Sequence, residues 1–131
     1  GTFDVLLPGD ADSHVDSALV SHIPNDPDGI EVLKVPHHGS KTGMTEGFLD
    51  RIASNQSKTI CGDNNSTMKQ FNSVHCPLAV ISVGTNSYGH PAPEVIAKLE
   101  SAGFQVLRTD KTGDIEVVSD GRGWNFTATK K

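Results

Sequence analysis

Two adjacent imidazoles, His37 and His38, stand in the stretch Lys34-Val35-Pro36-His37-His38-Gly39-Ser40-Lys41. A carboxylate, Asp10, follows Leu6-Leu7-Pro8-Gly9, and a further imidazole, His90, stands in Tyr88-Gly89-His90-Pro91. Neutral imidazole binds zinc at physiological pH without a costly deprotonation, and a carboxylate can join it as a ligand or act as an acid–base group. Together these residue types can do metal ligation and proton transfer. Singly, each has a plainer role. Asp10 could stabilise a turn or cap a helix, His37 and His38 could be a solvated pair, and His90 could mark a helix entry. Ser40 and Thr42 would ordinarily be loop hydroxyls, and His14 a helix-face residue. What favours a metal site is position: the three groups follow three strand-like segments, and α/β proteins keep their chemistry at strand C-terminal ends.

Residues 3–7, 30–35 and 78–83 are short apolar runs with the length and flanking turn residues of buried strands. Pro36 ends the second run, and Gly39 permits a sharp turn after the His pair. Between the first two runs, Val15, Ala18, Leu19 and Ile23 recur at helical spacing, predicting a helix over 13–22 capped by Asp12 or Ser13. Thr45 can cap a second helix whose apolar face is Phe48, Leu49 and Ile52. Pro91 and Pro93 open a third, with Val95, Ile96 and Leu99 inward and Gly103 at its end. A fourth strand is expected over 104–109, a turn over 110–113, and a closing hairpin from 115–118 and 124–127 around Asp120-Gly121-Arg122-Gly123. Strands alternating with helices imply an α/β layer with parallel pairing and the final strands antiparallel at its edge.

The 131 residues leave room for one domain, 1–131, with a proper core. Residues 55–76 are rich in Ser, Asn and Gly without periodicity and read as an inserted surface loop. A net charge of −5 argues against a bulk electrostatic grip on nucleic acid, although Lys34 and Lys41 flank the His pair. No apolar run reaches membrane-spanning length. Cys61 and Cys76 bracket part of the inserted loop and are compatible either with a disulfide, as in an exported protein, or with two free thiols. The chain opens directly on a strand, giving the expectation that it is a piece of something larger.

Leu6-Leu7-Pro8-Gly9-Asp10, Leu33 to Thr42, Val80-Ile81-Ser82-Val83-Gly84 with Tyr88-Gly89-His90-Pro91, and Arg108-Thr109-Asp110 with Gly113 together resemble the metallo-β-lactamase superfamily. In particular they resemble the second half of the hydrolase domain attached to bacterial competence DNA-channel proteins. The likeness covers the chain apart from the inserted loop. The family's first-half signature, His-x-His-x-Asp-His, is absent, as is the later single His that completes the first metal's shell.

The resemblance implies half of an αββα sandwich: a mixed sheet with helices on one face and a C-terminal antiparallel hairpin. It implies a two-zinc site in the complete fold, with Asp10 bridging the metals, His38 completing the second metal's shell and His37 the less favoured ligand. His90 would position substrate or donate a proton. The implied reaction is hydrolysis, usually of a phosphodiester such as nucleic acid, by metal-activated water. Asp10 and His38 supply two ligands where zinc takes three plus water, or four, so this chain alone should bind metal weakly. Two hypotheses follow. Either the chain is the C-terminal part of a metal-dependent hydrolase completed by an N-terminal half, exported or attached to a membrane protein, or it is a half-domain that binds without catalysing. Helices can cover one face of the sheet only, so a homodimer packed through the other face is expected, the alternative being that the hairpin around Trp124 folds over that face.

Overall fold

The computed structural model describes residues 3–26, 28–53 and 76–129. Its element order is β1 (Val5–Leu6), α1 (Ser13–His22), β2 (Val32–Lys34), α2 (Glu46–Ile52), β3 (Leu78–Ile81), α3 (Pro93–Ser101), β4 (Gln105–Arg108), α4 (Thr109–Thr112), β5 (Asp114–Ser119) and β6 (Trp124–Thr129). The fold is α/β. The inserted-loop expectation falls outside the described residues except at Cys76, which is disulfide-bonded; Cys61 also lies outside them.

Strands β1 to β4 form one parallel sheet in the order β1-β2-β3-β4, with Val5 opposite Val32, Val32 opposite Leu78 and Leu78 opposite Gln105. Each crossover therefore steps to the next strand in the same direction. Because parallel crossovers are almost always right-handed, such an order puts every connecting helix on the same face. The packing agrees. Leu33, Val35, Ala79 and Ile81 share a buried cluster with Phe48, Leu49 and Ile52 of α2 and with Val95 and Leu99 of α3.

The helices begin where side chains can satisfy their first N–H groups. The Asp12 carboxylate accepts from the His14 N–H at 3.0 Å, and the Thr45 hydroxyl from the Phe48 N–H at 3.2 Å. Helix α3 starts on Pro93, whose missing N–H costs nothing at that position. The expected turn at 110–113 is a single helical turn, Thr109–Thr112, closed by the Thr112 hydroxyl donating to the Arg108 carbonyl at 2.8 Å. All four parallel strands are shorter than their apolar runs. In β1 only Val5 and Leu6 pair, because Pro8 has no N–H to continue the ladder and the strand has one neighbour.

Strands β5 and β6 pair antiparallel as expected, with Val117 opposite Phe126 and Ser119 opposite Trp124. They make a two-stranded sheet of their own rather than extending the edge of the parallel one. The reason lies in the alternation. Val117, Trp124 and Phe126 turn inward and pack with Phe3, Val32, Leu78, Val80 and Leu107, the residues of the face that the helices leave open. The hairpin thus covers the second face of the sheet. Among the described residues the hairpin alternative is the arrangement found, and it covers the face on which the homodimer expectation rested.

Candidate metal-binding and substrate-facing loops

Three loops leave the C-terminal ends of β1, β2 and β3 and are stitched together through their backbones. Gly9, at φ +65°, turns the first loop after Pro8, and its carbonyl accepts from the His37 N–H at 3.1 Å. The Thr42 carbonyl accepts from the Ser13 N–H at 2.8 Å, so the first loop and the start of α1 are tied to the second loop at two points. Gly39 ties the second loop to the third, its carbonyl accepting from the Ala92 N–H at 2.9 Å. A Cβ on Gly39 would sit 2.6 Å from Pro91 Cβ, so only glycine allows this approach.

The turn carrying the two histidines is strained. His37 has φ 48° and ψ 43°, and His38 φ 54° and ψ 23°. Two consecutive non-glycine residues are left-handed, at a cost on the order of 1–3 kcal/mol each. The surrounding bonds hold them there: His37 donates to Gly9, and its carbonyl accepts from the Ser40 N–H at 2.9 Å. Ser40 is buried, with its hydroxyl 3.2 Å from that of Thr42, which is the expected loop-hydroxyl role carried out inside the turn.

The strain presents His38 in a defined way. Its Nδ1 lies 2.7 Å from the Ser82 carbonyl, which can only accept, so Nδ1 carries the proton. In the neutral ring Nε2 is then left with its lone pair, and it faces Asp10 Oδ1 at 4.0 Å. The side chains are 49% and 73% exposed, open to solvent and to a ligand. A lone pair and a carboxylate oxygen at this separation repel unless a proton or a cation joins them. In the protonated state they form a solvent-screened ion pair; otherwise they are two oriented electron-pair donors. No group of three or more His, Cys, Asp and Glu suited to a metal occurs among the described residues. The pair fits a metal by donor type, by the Ser82 carbonyl that orients the His38 ring, and by exposure, but supplies an incomplete shell.

His37 points elsewhere. Its ring centroid lies 6.0 Å from that of His90, tilted at 52°, and its Nδ1 is buried with no hydrogen-bond partner among the described residues. His90 in turn stacks with Tyr88 at 5.9 Å and 19°. The four candidate residues therefore form two pairs, Asp10 with His38 and His37 with His90, on adjoining loops.

The third loop owes its shape to Asn86, which the sequence reading passed over. Its Oδ1 accepts from the N–H groups of Tyr88 and His90, both at 3.1 Å, and its Nδ2 donates to the carbonyls of Gly84 at 3.0 Å and His90 at 2.9 Å. The available signal was an Asn inside a Gly-Thr-Asn-Ser turn cluster, where side-chain amides commonly organise backbone. Behind it, the Thr109 hydroxyl accepts from the Val83 N–H and donates to the Val83 carbonyl, both at 2.9 Å, fixing the loop's root. Arg108 holds Asp110 by a two-pronged contact at 3.0 and 2.7 Å, which keeps that carboxyl below its usual range.

The chain is similar to ComE operon protein 3 of Bacillus subtilis (strain 168). The two are 32% identical over 128 residues, which take in 97% of this chain and 13% of that protein. No protein-family model matches the chain, and no solved structure matches it.

Proposed function

We propose that this chain is the C-terminal part of a metallo-β-lactamase-like, metal-dependent hydrolase acting on a phosphodiester, in a competence-related role. The observation that carries the reading is the facing of His38 Nε2 and Asp10 Oδ1 at 4.0 Å, on loops that leave neighbouring parallel strands. The residue motifs and the similarity to ComE operon protein 3 support the same reading. Asp10 and His38 would hold the ion, with His37 the less favoured ligand because its ring is turned towards His90. The bound metal, zinc in this reading, would supply an acidified water and an electrophile for the developing charge. His90, fixed at its backbone by Asn86, would face the substrate and move a proton at its ring.

Isothermal titration of the metal-free chain with zinc and with manganese tests the assignment. Weak binding, removed by Asp10→Ala and by His38→Ala alike, is expected. Binding that survives both changes would place the metal elsewhere. Hydrolysis of bis(4-nitrophenyl) phosphate, slow in this chain and absent from Asp10→Ala, is the companion readout of the chemistry.

A second reading, a folded module that binds without catalysing, is favoured by one specific observation: the hairpin closes the second sheet face within this chain. A stable fold with no metal binding and no turnover in these two experiments would favour it over the hydrolase.

A further inference from the structure

Among the large apolar side chains left exposed in the described residues, Tyr88 is the most open, at 81%. A ring usually hides more of itself, since burying aromatic area is strongly favourable. Tyr88 is nevertheless not loosely held. One of its faces stacks on His90, and the Asn86 carboxamide uses both donors and both acceptor lone pairs on the backbone around the two rings. Much of the ordering that a ligand would otherwise have to impose on this loop is therefore met in the folded protein. His90 also stands 6.0 Å from His37, the residue next to His38. The rings of His37, His90 and Tyr88 thus run in series from the turn that carries His38 outward to solvent.

We propose that the outer face of Tyr88 is a stacking subsite for the base of a nucleotide-type phosphodiester. The proposal rests on the phosphodiester reading above and narrows it to phosphodiesters whose substituents carry the planar bases of nucleotides. Stacking suits this chain, because a net charge of −5 gives no bulk attraction for a polyanion, and a stacked base contributes without charge. Every base has a π face, so the subsite would accept bases with little regard to their identity.

The test is nuclear magnetic resonance on the metal-free chain, titrated with adenosine 5′-monophosphate and separately with ribose 5-phosphate. Saturable shifts of the Tyr88 and His90 ring signals are expected with the nucleotide and not with the sugar phosphate. Tyr88→Leu should weaken nucleotide binding by at least about fivefold, as expected for loss of a stacked base, while Tyr88→Phe preserves it. Asn86→Ala, which leaves the ring in place but frees its backbone, should weaken binding as well. Absence of saturable shifts, equal shifts with ribose 5-phosphate, or unchanged affinity in Tyr88→Leu would each overturn the proposal. No metal or turnover enters this measurement, so its failure is separable from failure of the hydrolase reading.

Discussion

Gly39 and Pro91 meet so closely that a methyl group on the glycine would lie 2.6 Å from Pro91 Cβ and 3.1 Å from its Cα. Gly39 also sits at φ +81°, where side chains are rarely tolerated. This contact locks the His37–His38 turn against the loop carrying His90. We expect Gly39→Ala to destabilise the fold by roughly 2–4 kcal/mol, from backbone strain plus overpacking. Urea unfolding measures it. A loss below the experimental scatter would mean that the two loops separate easily and do not share a rigid site.

Strain at His38 gives an inverted glycine effect. In ordinary helix or strand positions alanine is more stable than glycine, but at φ 54° the order reverses. Both His38→Gly and His38→Ala lose the bond to Ser82, so their difference isolates the backbone. His38→Gly should be the more stable of the two by about 1–2 kcal/mol. Equal stability would show that the turn relaxes out of the left-handed region once the imidazole is removed.

Trp124 is the centre of the hairpin's inward face, 9% exposed and packed with Val32 and Leu78. Trp124→Ala should cost roughly 3–5 kcal/mol, in the range for large-to-small aromatic changes in cores. It should also increase binding of a hydrophobic dye, because the second sheet face loses its cover. The unaltered chain is expected to scatter light as a monomer at micromolar concentration. A dimeric mass would revive packing between sheets of two copies.

Glu31 makes stability depend on pH. Its carboxylate accepts from the Asp4 N–H at 2.8 Å, but burial outweighs that bond and raises its pKa above the ordinary 4.5. The folded chain then holds this proton more tightly than the unfolded one. The associated stability is fully present below pH 4.5 and is lost as pH rises through the raised value. Glu31→Gln keeps an acceptor oxygen and removes the titration, so unfolding midpoints of the two proteins should diverge across that window. Parallel curves would assign the effect to other groups.

Much of the scaffold was legible in the residues because the cues were local. Asp12 and Thr45 cap where short polar side chains precede apolar periodicity, and Phe48, Leu49 and Ile52 are buried as their spacing requires. The closeness of Asp10 to His38 followed from placing each just past a strand end. What stayed illegible depended on contacts across the chain. Nothing about two consecutive histidines announces left-handed backbone, since the bonds that hold the turn to its neighbours, His37 to Gly9 and Ala92 to Gly39, come from other loops. Spacing alone therefore leaves His37 and His38 equivalent in direction, and only the family resemblance favours His38; in the fold one faces Asp10 and the other His90. The hairpin's alternation was readable, but whether the hairpin or a second copy would cover the open sheet face was not. That open face is left by the one-directional order of the four parallel strands, a property of the assembled sheet.

That same order has a consequence for how the chain is made. Residues up to Arg108 complete the parallel sheet and its helical cover, whereas Trp124 and Phe126 leave the ribosome later. At ~5–20 residues per second, the face formed by Val32, Leu78 and Val80 waits on the order of seconds for its lid. During that interval the nascent protein carries an open apolar surface of the kind that chaperones hold and neighbouring chains aggregate upon. Interruption of synthesis between β4 and β6 would therefore release an aggregation-prone species, while interruption after β6 would not.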